Sequence, residues 1–378
     1  MVSIRGFFSR SSGSKRDESE PELFKKRAPN LAMLLFPRKF LWYWFSRRFS
    51  VFAKKWGVDE EKRMASPLVR GLMNGMSPRF RLQEQALYFV DMLGQKVVRY
   101  SLATQETAVI YEDAEDFVSA VGWLPDGRML IVRMNHQQVL VLDQKAKNVE
   151  LYADVSNVTQ FRANDLVVAA SGRAYLGNFG FDHAKMKSCC TTTLVSIDPV
   201  DRQVRVEATE MLFPNGMVIT PDGKTLIVAE TLAGRLVAFD IDEGGKLANR
   251  RVWADVRTPL GGICLDAEGC VWVSVPQVGA YEATGGALAR VKEGGEIMDL
   301  LGFQRNGISH GVYACALEQN ASGEEPQLYF VESVASKEAT VFMQGRRKAR
   351  ENSVLKSVQV AVGPALMSLN SNYCGGYC

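Results

Sequence analysis

The feature that most constrains the fold is a turn ending in glycine that recurs along the chain and precedes an alternating apolar strand. The turn glycines Gly127, Gly172, Gly223 and Gly269 lie 45, 51 and 46 residues apart. Glycine adopts positive φ at little steric cost, so Asp-Gly and Glu-Gly between alternating runs are hairpin signals. The spacing therefore predicts a chain built from repeated hairpins.

Six units of this kind follow one another. The hairpin segments cover residues 80–90, 123–132, 168–177, 219–228, 265–274 and 319–331. Further strand-like runs follow them at 96–102, 138–143, 193–198, 235–241, 287–291 and 354–360. No amphipathic helix separates the units, and a period of about 40–50 residues with several strands per unit is typical of propeller blades. We therefore predict an all-β fold, a six-bladed β-propeller.

The composition divides the chain into four parts. Residues 1–56 form a basic extension, predicted to be partly disordered, with short aromatic and apolar runs. Residues 57–70 are expected to be a linker with a short helical piece, 71–365 the propeller, and 366–378 a flexible C-terminal tail.

The positive charge belongs to the extension. Residues 1–56 contain 13 Lys and Arg against 4 Asp and Glu, whereas the rest contains 32 against 38. A nucleic-acid-binding role for the propeller is therefore unsupported, because that role needs a basic surface.

The extension has two interpretations. Residues 1–16 are basic, rich in serine and free of acidic residues, as in mitochondrial transit peptides, although a solvated basic tail has the same composition. The apolar runs within 31–55 are too short to span a bilayer, so they suit either peripheral contact with a membrane or the cover of an apolar patch on the propeller. The seven cysteines form no paired framework, which favours an intracellular, reducing compartment.

The repeat shows which residues share one position at the start of each innermost strand. Counting back eight residues from the turn glycines gives Ser119, Asn164, Asn215 and Gly261. Two asparagine amides that converge on a channel could bind a hard divalent cation through oxygen. They could equally cap turns or bond to the backbone.

Several phrases of the chain resemble the gluconolactonase/regucalcin (senescence marker protein) family. They are FPNGMVITPDGKTLIVAETLAGRLVAFDI (213–241), RANDLVVAASGRAYLGNFGFD (162–182) and LYFVDMLGQKVVRYS (87–101). The resemblance covers about residues 71–362. It implies a six-bladed propeller with one divalent cation (Ca²⁺, Mg²⁺, Mn²⁺ or Zn²⁺) in the channel and hydrolysis of sugar lactones or related esters.

The resemblance also assigns individual residues. Asn215 matches a metal ligand, Asn164 a second ligand that lies near substrate, and Arg162 a substrate-binding arginine. Met76 and Gly261 stand where the family has a glutamate and an aspartate ligand. Because both carboxylates are missing, we expect the cation to be bound weakly or lost. Four other carboxylates could replace them: Asp116, Asp165, Asp182 and Glu230.

Two functions follow as hypotheses. The first is a metal-assisted hydrolase of a small lactone or ester with a modified cation site. The second is a catalytically silent propeller that binds or scaffolds a partner, docked on a membrane or protein through its N-terminal segment.

Overall fold

The computed structural model describes residues 65–159, 161–181, 191–276, 286–303, 310–318, 326–334 and 353–365. Within these residues the chain forms 24 strands in six four-stranded antiparallel sheets, with one 3₁₀ turn at Leu82–Glu84. The six-bladed β-propeller predicted from the repeat is confirmed. The extension 1–56 and the tail 366–378 lie outside the described residues.

The first three blades follow the chain order from the innermost to the outermost strand. Blade 1 contains β2 (Gly75–Arg81), β3 (Ala86–Asp91), β4 (Lys96–Ser101) and β5 (Thr107–Glu112). Blade 2 contains β6 (Val118–Trp123), β7 (Met129–Arg133), β8 (Gln138–Asp143) and β9 (Asn148–Asp154). Blade 3 contains β10 (Ala163–Val168), β11 (Ala174–Asn178), β12 (Thr192–Ile197) and β13 (Val204–Met211).

Blades 4 and 5 keep this order, whereas blade 6 takes its outermost strand from the start of the propeller. Blade 4 contains β14 (Pro214–Ile219), β15 (Thr225–Glu230), β16 (Arg235–Ile241) and β17 (Leu247–Asp255). Blade 5 contains β18 (Ile263–Leu265), β19 (Val271–Val275), β20 (Ala287–Val291) and β21 (Ile297–Gly302). Blade 6 contains β22 (His310–Leu317), β23 (Gln327–Val334), β24 (Ser353–Gln359) and β1 (Ser66–Leu72).

The ring closes through β1, which pairs antiparallel with β24 from Ser66 opposite Ser357 to Leu72 opposite Ser353. The expectation of a linker with a helical piece over 57–70 is therefore wrong for residues 66–70, which are part of the propeller. The sequence of β1 lacks the apolar alternation that identified the other strands, because its side chains at the outer edge are mostly exposed.

Apolar clusters between neighbouring blades hold the ring together. One cluster joins blades 1 and 2, and others join blades 2 and 3, 3 and 4, 4 and 5, 5 and 6, and 6 and 1. Each sheet buries both faces against its neighbours, which is how a blade that cannot form a core alone becomes stable. The innermost strands β2, β6, β10, β14, β18 and β22 contact one another in sequence, and β22 contacts β2, so together they surround a central channel.

The predicted turn glycines have the backbone geometry that the hairpins require. Gly127, Gly172, Gly223 and Gly269 have φ values of 86°, 88°, 71° and 76°. At the other end of the chain, the Ala365 N–H donates to the Leu265 carbonyl at 3.2 Å, which ties the last described residues to blade 5. Among the described residues, no helix is both long enough and apolar enough to cross a membrane.

Candidate functional site

The backbone is irregular near the start of several innermost strands. In blades 1 to 4 the pairing register shifts within the first few residues, for example between Met76 and Arg79 and between Pro214 and Met217. Bulges of this kind re-aim side chains and occur frequently beside functional sites. The register-equivalent positions found in the sequence therefore lie where the innermost strands enter the channel.

Asn215 is held at the side of the channel formed by blades 4 and 5. Its side chain is buried, and Nδ2 donates to Thr231 Oγ1 at 3.1 Å. That hydroxyl donates in turn to the Leu260 carbonyl at 2.7 Å. The structure thus joins Asn215, through Thr231, to the residue next to Gly261.

Asn164 occupies the equivalent place in blade 3 and is 2% exposed. Its backbone carbonyl accepts a hydrogen bond of 2.8 Å from Ser119 Oγ, so Ser119 serves to bind neighbouring strands together. Asn164 Nδ2 is buried and has no hydrogen-bond partner in the described part of the chain. Buried donors are nearly always satisfied, so this atom is suited to donate to a ligand or a water.

Arg162 is half-buried in the loop that leads into β10. Its carbonyl accepts the Phe179 N–H at 3.0 Å, which places Arg162 beside the loop that follows β11. Its role toward substrate stays a prediction.

Gly261 leaves no space for a side chain. A Cβ at this position would lie 2.3 Å from the Tyr313 carbonyl oxygen and 2.6 Å from Ser274 Oγ. The backbone cannot retreat easily, because the Gly261 N–H donates to the Ser274 carbonyl at 2.8 Å and the Gly262 N–H donates to Tyr313 at 2.9 Å. A carboxylate at this position would therefore need the inner strand of blade 6 to move.

Met76 lies in an apolar cluster rather than among polar ligands. The cluster contains Met92, Leu93 and Met134 at its centre, with Met73, Met76, Phe117 and Phe179 packed against them. A thioether is a soft ligand that matches Ca²⁺ and Mg²⁺ poorly. Blade 1 therefore presents an apolar wall where the resemblance implies a carboxylate.

The residues at this site do not fit a divalent cation. The two asparagines are neutral, Met76 is apolar and Gly261 has no side chain, whereas the affinity of Ca²⁺ sites rises with the number of charged ligands. Within the described ranges, no group of three or more His, Cys, Asp and Glu side chains is arranged to hold a metal ion.

Two of the four alternative carboxylates are fully engaged elsewhere. Glu230 accepts Arg235 Nε at 2.5 Å and Arg250 Nη2 at 2.9 Å, so it is the centre of a structural ion-pair network in blade 4. Asp116 accepts the N–H groups of Asn135 and His136 at 3.0 and 2.7 Å and orders the loop of blade 2. Asp182 lies outside the described residues.

Asp165 is the carboxylate that reaches the channel. Arg79 of blade 1 donates from Nη2 to Asp165 Oδ1 at 2.7 Å, and Ser77 Oγ donates to the same oxygen at 3.2 Å. The Leu166 N–H donates to it at 2.9 Å. All of these bonds end on Oδ1, which leaves Oδ2 available to a ligand. Since Asp165 belongs to blade 3 and Arg79 to blade 1, the ion pair passes across the channel beside blade 2.

Burial changes the chemistry of this carboxylate. Desolvation raises the pKa of Asp165 above its ordinary value, and the positive charge of Arg79 and the three hydrogen bonds oppose that rise. A carboxylate with a raised pKa is a stronger base than an exposed one.

Three aromatic rings pack where blades 3 and 4 meet at the channel entrance. The Phe179 and Phe213 rings stack with centroids 4.5 Å apart, and Phe181 meets Phe213 edge-on at 6.0 Å. Phe213 has a φ of 59°, an uncommon and strained conformation for a bulky residue. Together with the methionine cluster around Met76, these rings give the site apolar surroundings.

Sequence reasoning included Asp165 among four candidates and missed Arg79. The signal for Arg79 was an arginine inside an innermost strand, in a segment whose neighbours Pro78 and Phe80 are buried. A charged residue at such a position needs a buried partner.

The family model described as the SMP-30/Gluconolactonase/LRE-like region matches residues 75–307. Regucalcin of Danio rerio is 28% identical over 205 residues, which cover 53% of this chain and 67% of that protein.

Solved structures agree on the fold. A calcium-binding regucalcin of Agrobacterium tumefaciens aligns with a TM-score of 0.62 and 16% identity, over 82% of this chain and 98% of the other. A gluconolactonase of Xanthomonas campestris aligns with a TM-score of 0.57 and 17% identity, over 82% and 92%. The family model spans more than half of the sequence, and the chain therefore belongs to the SMP-30/Gluconolactonase/LRE-like family.

Proposed function

We propose that the protein hydrolyses a small lactone or a related ester in its channel, with Asp165 as the general base. The proposal rests on Asn164 and Asp165, which are consecutive residues at the register shift of β10 between Ala163 and Leu166. One is a buried carboxylate that is bonded only through Oδ1, and the other has a buried, unpartnered amide donor. Membership of the gluconolactonase and regucalcin family supports this reaction class.

The reaction begins with a water bound to Asp165 Oδ2. The carboxylate takes a proton from this water as the oxygen attacks the ester carbonyl carbon, and the raised pKa of Asp165 favours that transfer. Negative charge then develops on the carbonyl oxygen. Asn164 Nδ2 donates a hydrogen bond to that oxygen, which stabilises the charge in a site where the donor is already oriented.

The intermediate collapses when the bond between the acyl carbon and the ring or alkoxy oxygen breaks. Protonated Asp165 returns its proton to that departing oxygen, so the carboxylate is regenerated. A lactone yields one hydroxy acid, and an open ester yields an acid and an alcohol. Every proton transfer therefore uses this chain's own carboxylate and one water.

The surroundings favour an uncharged and partly apolar substrate. Met76, Phe179 and Phe213 cover the approaches from blades 1, 3 and 4. Apolar and aromatic walls with a few oriented polar groups are typical of small-molecule sites. The amide oxygen of Asn215 adds an acceptor for a substrate hydroxyl, and Arg162 at the edge adds a donor.

A second function, a binding propeller without turnover, is favoured by positions 76 and 261. Neither supplies a carboxylate, and Gly261 has no room for one. The same channel would then bind a lactone or ester without converting it.

The two functions are separated by assays of aliphatic and sugar lactones with the wild type and Asp165→Asn. We expect the substitution to lower kcat/KM by about 10²–10⁴-fold, the usual effect of losing a general base. In the wild type, kcat/KM should rise with pH as Asp165 loses its proton, with a midpoint above the ordinary aspartate value of about 3.9.

Asp255→Asn is the matched control, since that aspartate is exposed and pairs only with Arg257 among the described residues. It should leave kcat/KM unchanged. Turnover that is equal in the wild type and Asp165→Asn would remove Asp165 from the mechanism. Saturable lactone binding without turnover in the wild type would establish the binding function instead.

A further inference from the structure

We propose that the Arg79 guanidinium is a fixed internal cation that takes the place of a divalent metal ion in the channel. The inference goes beyond the proposed hydrolysis, because it concerns which charge organises the channel and holds whether or not the protein turns over a substrate. It predicts that removal of Arg79 exposes a latent cation site.

The position of Arg79 and its hydrogen bonds hold its side chain at the channel. It belongs to the innermost strand β2, three residues beyond Met76, and its side chain is 4% exposed. Nη2 donates to Asp165 Oδ1 at 2.7 Å and to the Leu166 carbonyl at 3.0 Å, and Nη1 donates to the Pro78 carbonyl at 3.1 Å. Two of the three acceptors belong to blade 3, so this one side chain links two blades that are not neighbours in the ring.

The local backbone of blade 1 is shaped around the same contact. Ser77 has a φ of 47°, a region that side chains with a Cβ rarely adopt, and its hydroxyl donates to Asp165 Oδ1. The register shift between Met76 and Arg79 lies in the same segment. Strained backbone persists where surrounding interactions hold it in place, and here those interactions converge on the carboxylate of blade 3.

The charge balance of the channel opposes a second cation. Arg79 brings a positive guanidinium into the channel. It neutralises Asp165, and the remaining oxygen donors at the register-equivalent positions are the neutral amides of Asn164 and Asn215. A divalent ion among these groups would have no net negative charge to bind, and it would be repelled by the guanidinium within the same enclosed space.

Position 261 of blade 5 cannot supply the negative charge that a divalent cation would need. The missing Cβ of Gly261 would lie 2.3 Å from the Tyr313 carbonyl oxygen, so no acidic side chain fits there without a backbone shift. The channel is therefore organised around an arginine and its carboxylate.

The test is a titration with Mn²⁺ and Ca²⁺ by calorimetry, with thermal unfolding measured in parallel on the full chain. The wild type should show no saturable binding at millimolar metal. In Arg79→Met, Asp165 and the two asparagines become a carboxylate-containing oxygen set without a cation, and we expect Mn²⁺ to bind at least about tenfold more tightly than to the wild type.

Three variants make the result specific. Arg79→Lys keeps the positive charge and should bind no more metal than the wild type. Arg79→Met combined with Asp165→Asn should lose the gain, because the one charged ligand is gone. Arg257→Met removes an exposed arginine from its ion pair with Asp255 and should change nothing.

Two outcomes would overturn the proposal. One is saturable divalent binding by the wild type that Asn215→Ala abolishes; the other is a folded Arg79→Met variant with no gain in metal affinity.

Arg79→Met leaves a buried carboxylate unpaired and can fail to fold. In that case about 10 mM Mn²⁺, roughly tenfold above the dissociation constant of the weakest protein Ca²⁺ sites, must restore the folding of Arg79→Met but not that of Arg79→Met with Asp165→Asn. A failure to do so refutes the latent site. None of these measurements uses turnover, so a loss of the proposed hydrolysis leaves them unaffected.

Discussion

At position 261 the Tyr313 carbonyl of the neighbouring blade lies where a side chain would begin. The close approach is part of a backbone hydrogen-bond pattern, because the Gly262 N–H donates to that same carbonyl at 2.9 Å. Glycine is used here for space, since its φ is not in the left-handed region. The absence of a side chain at position 261 thus allows the backbones of blades 5 and 6 to approach each other closely.

We predict that Gly261→Ala lowers the free energy of unfolding by about 2 kcal/mol or more, because the methyl group forces blades 5 and 6 apart. Denaturant unfolding of the purified variant measures this. Gly244→Ala is the control, since its added Cβ would meet only the exposed Asp242 carboxylate at 3.4 Å, an ordinary van der Waals contact. It should stay within about 0.5 kcal/mol of the wild type. Equal stability of the two variants would show that the blade 6 backbone yields easily.

The raised pKa of Asp165 also makes stability depend on pH. Its folded-state pKa is raised, so the native state binds a proton more readily than the unfolded chain does. The protonated form therefore contributes stability below about pH 3.9, the unfolded value, and this contribution is lost as pH rises through the folded pKa. Asp165→Asn should remove that part of the pH dependence, as read from denaturant unfolding between pH 3 and 8. Asp240→Asn, at an exposed ion pair whose carboxyl pKa is lowered, should not.

The position of a residue in the fold could be predicted from the sequence where the repeat determines it. Counting from the turn glycines places Asn164 and Asn215 at the start of their innermost strands, and the structure has both there. The partnership of Arg79 with Asp165 could not be predicted in this way. It joins residues 86 apart across the channel, and no periodicity relates positions in different registers of different blades.

Among the elements, blade 4 is held by a buried ion-pair network as well as by its core. Glu230, at the end of β15, is buried and accepts bonds from Arg235 of β16 and Arg250 of β17, and also from the Leu212 N–H at 2.9 Å. One carboxylate therefore connects the three outer strands of the blade with the loop that leads into it.

We expect Glu230→Ala to lower the free energy of unfolding by about 3–5 kcal/mol, because it leaves buried Arg235 and partly buried Arg250 without their partner. Thermal and urea unfolding measure the loss. Asp255→Ala breaks an exposed pair of the same kind and should cost under about 1 kcal/mol. A similar cost for both variants would mean that the network adds nothing beyond surface pairing.

The elements that the sequence predicts best are those buried on both faces. Strands such as β15 and β19 alternate or run apolar between turn signals, so their existence follows from pattern alone. β1 is the exception. At an outer edge its residues need not alternate, and its partner β24 lies at the far end of the chain, so local reasoning assigned it to a linker.

For the whole molecule, the prediction concerns closure of the ring. A truncation that begins at residue 73 lacks β1 and should unfold at a lower temperature than one that begins at residue 65, because blade 6 loses its outermost strand and β24 becomes an unpaired edge. The comparison isolates β1, since the two chains differ only by eight residues. Light scattering should also detect association of the shorter chain, and identical melting and scattering would show that β1 is dispensable.

Closure by β1 also means that the ring cannot be completed early during synthesis of the chain. Ser66 leaves the ribosome 291 residues ahead of its partner Ser357. At roughly 5–20 residues per second, synthesis of that interval takes on the order of 15–60 s. For that time the first strand waits without its neighbour while blades 1 to 5 are completed. The arrangement makes β1 a late-engaging segment, and the ring is closed only after β24 has been translated.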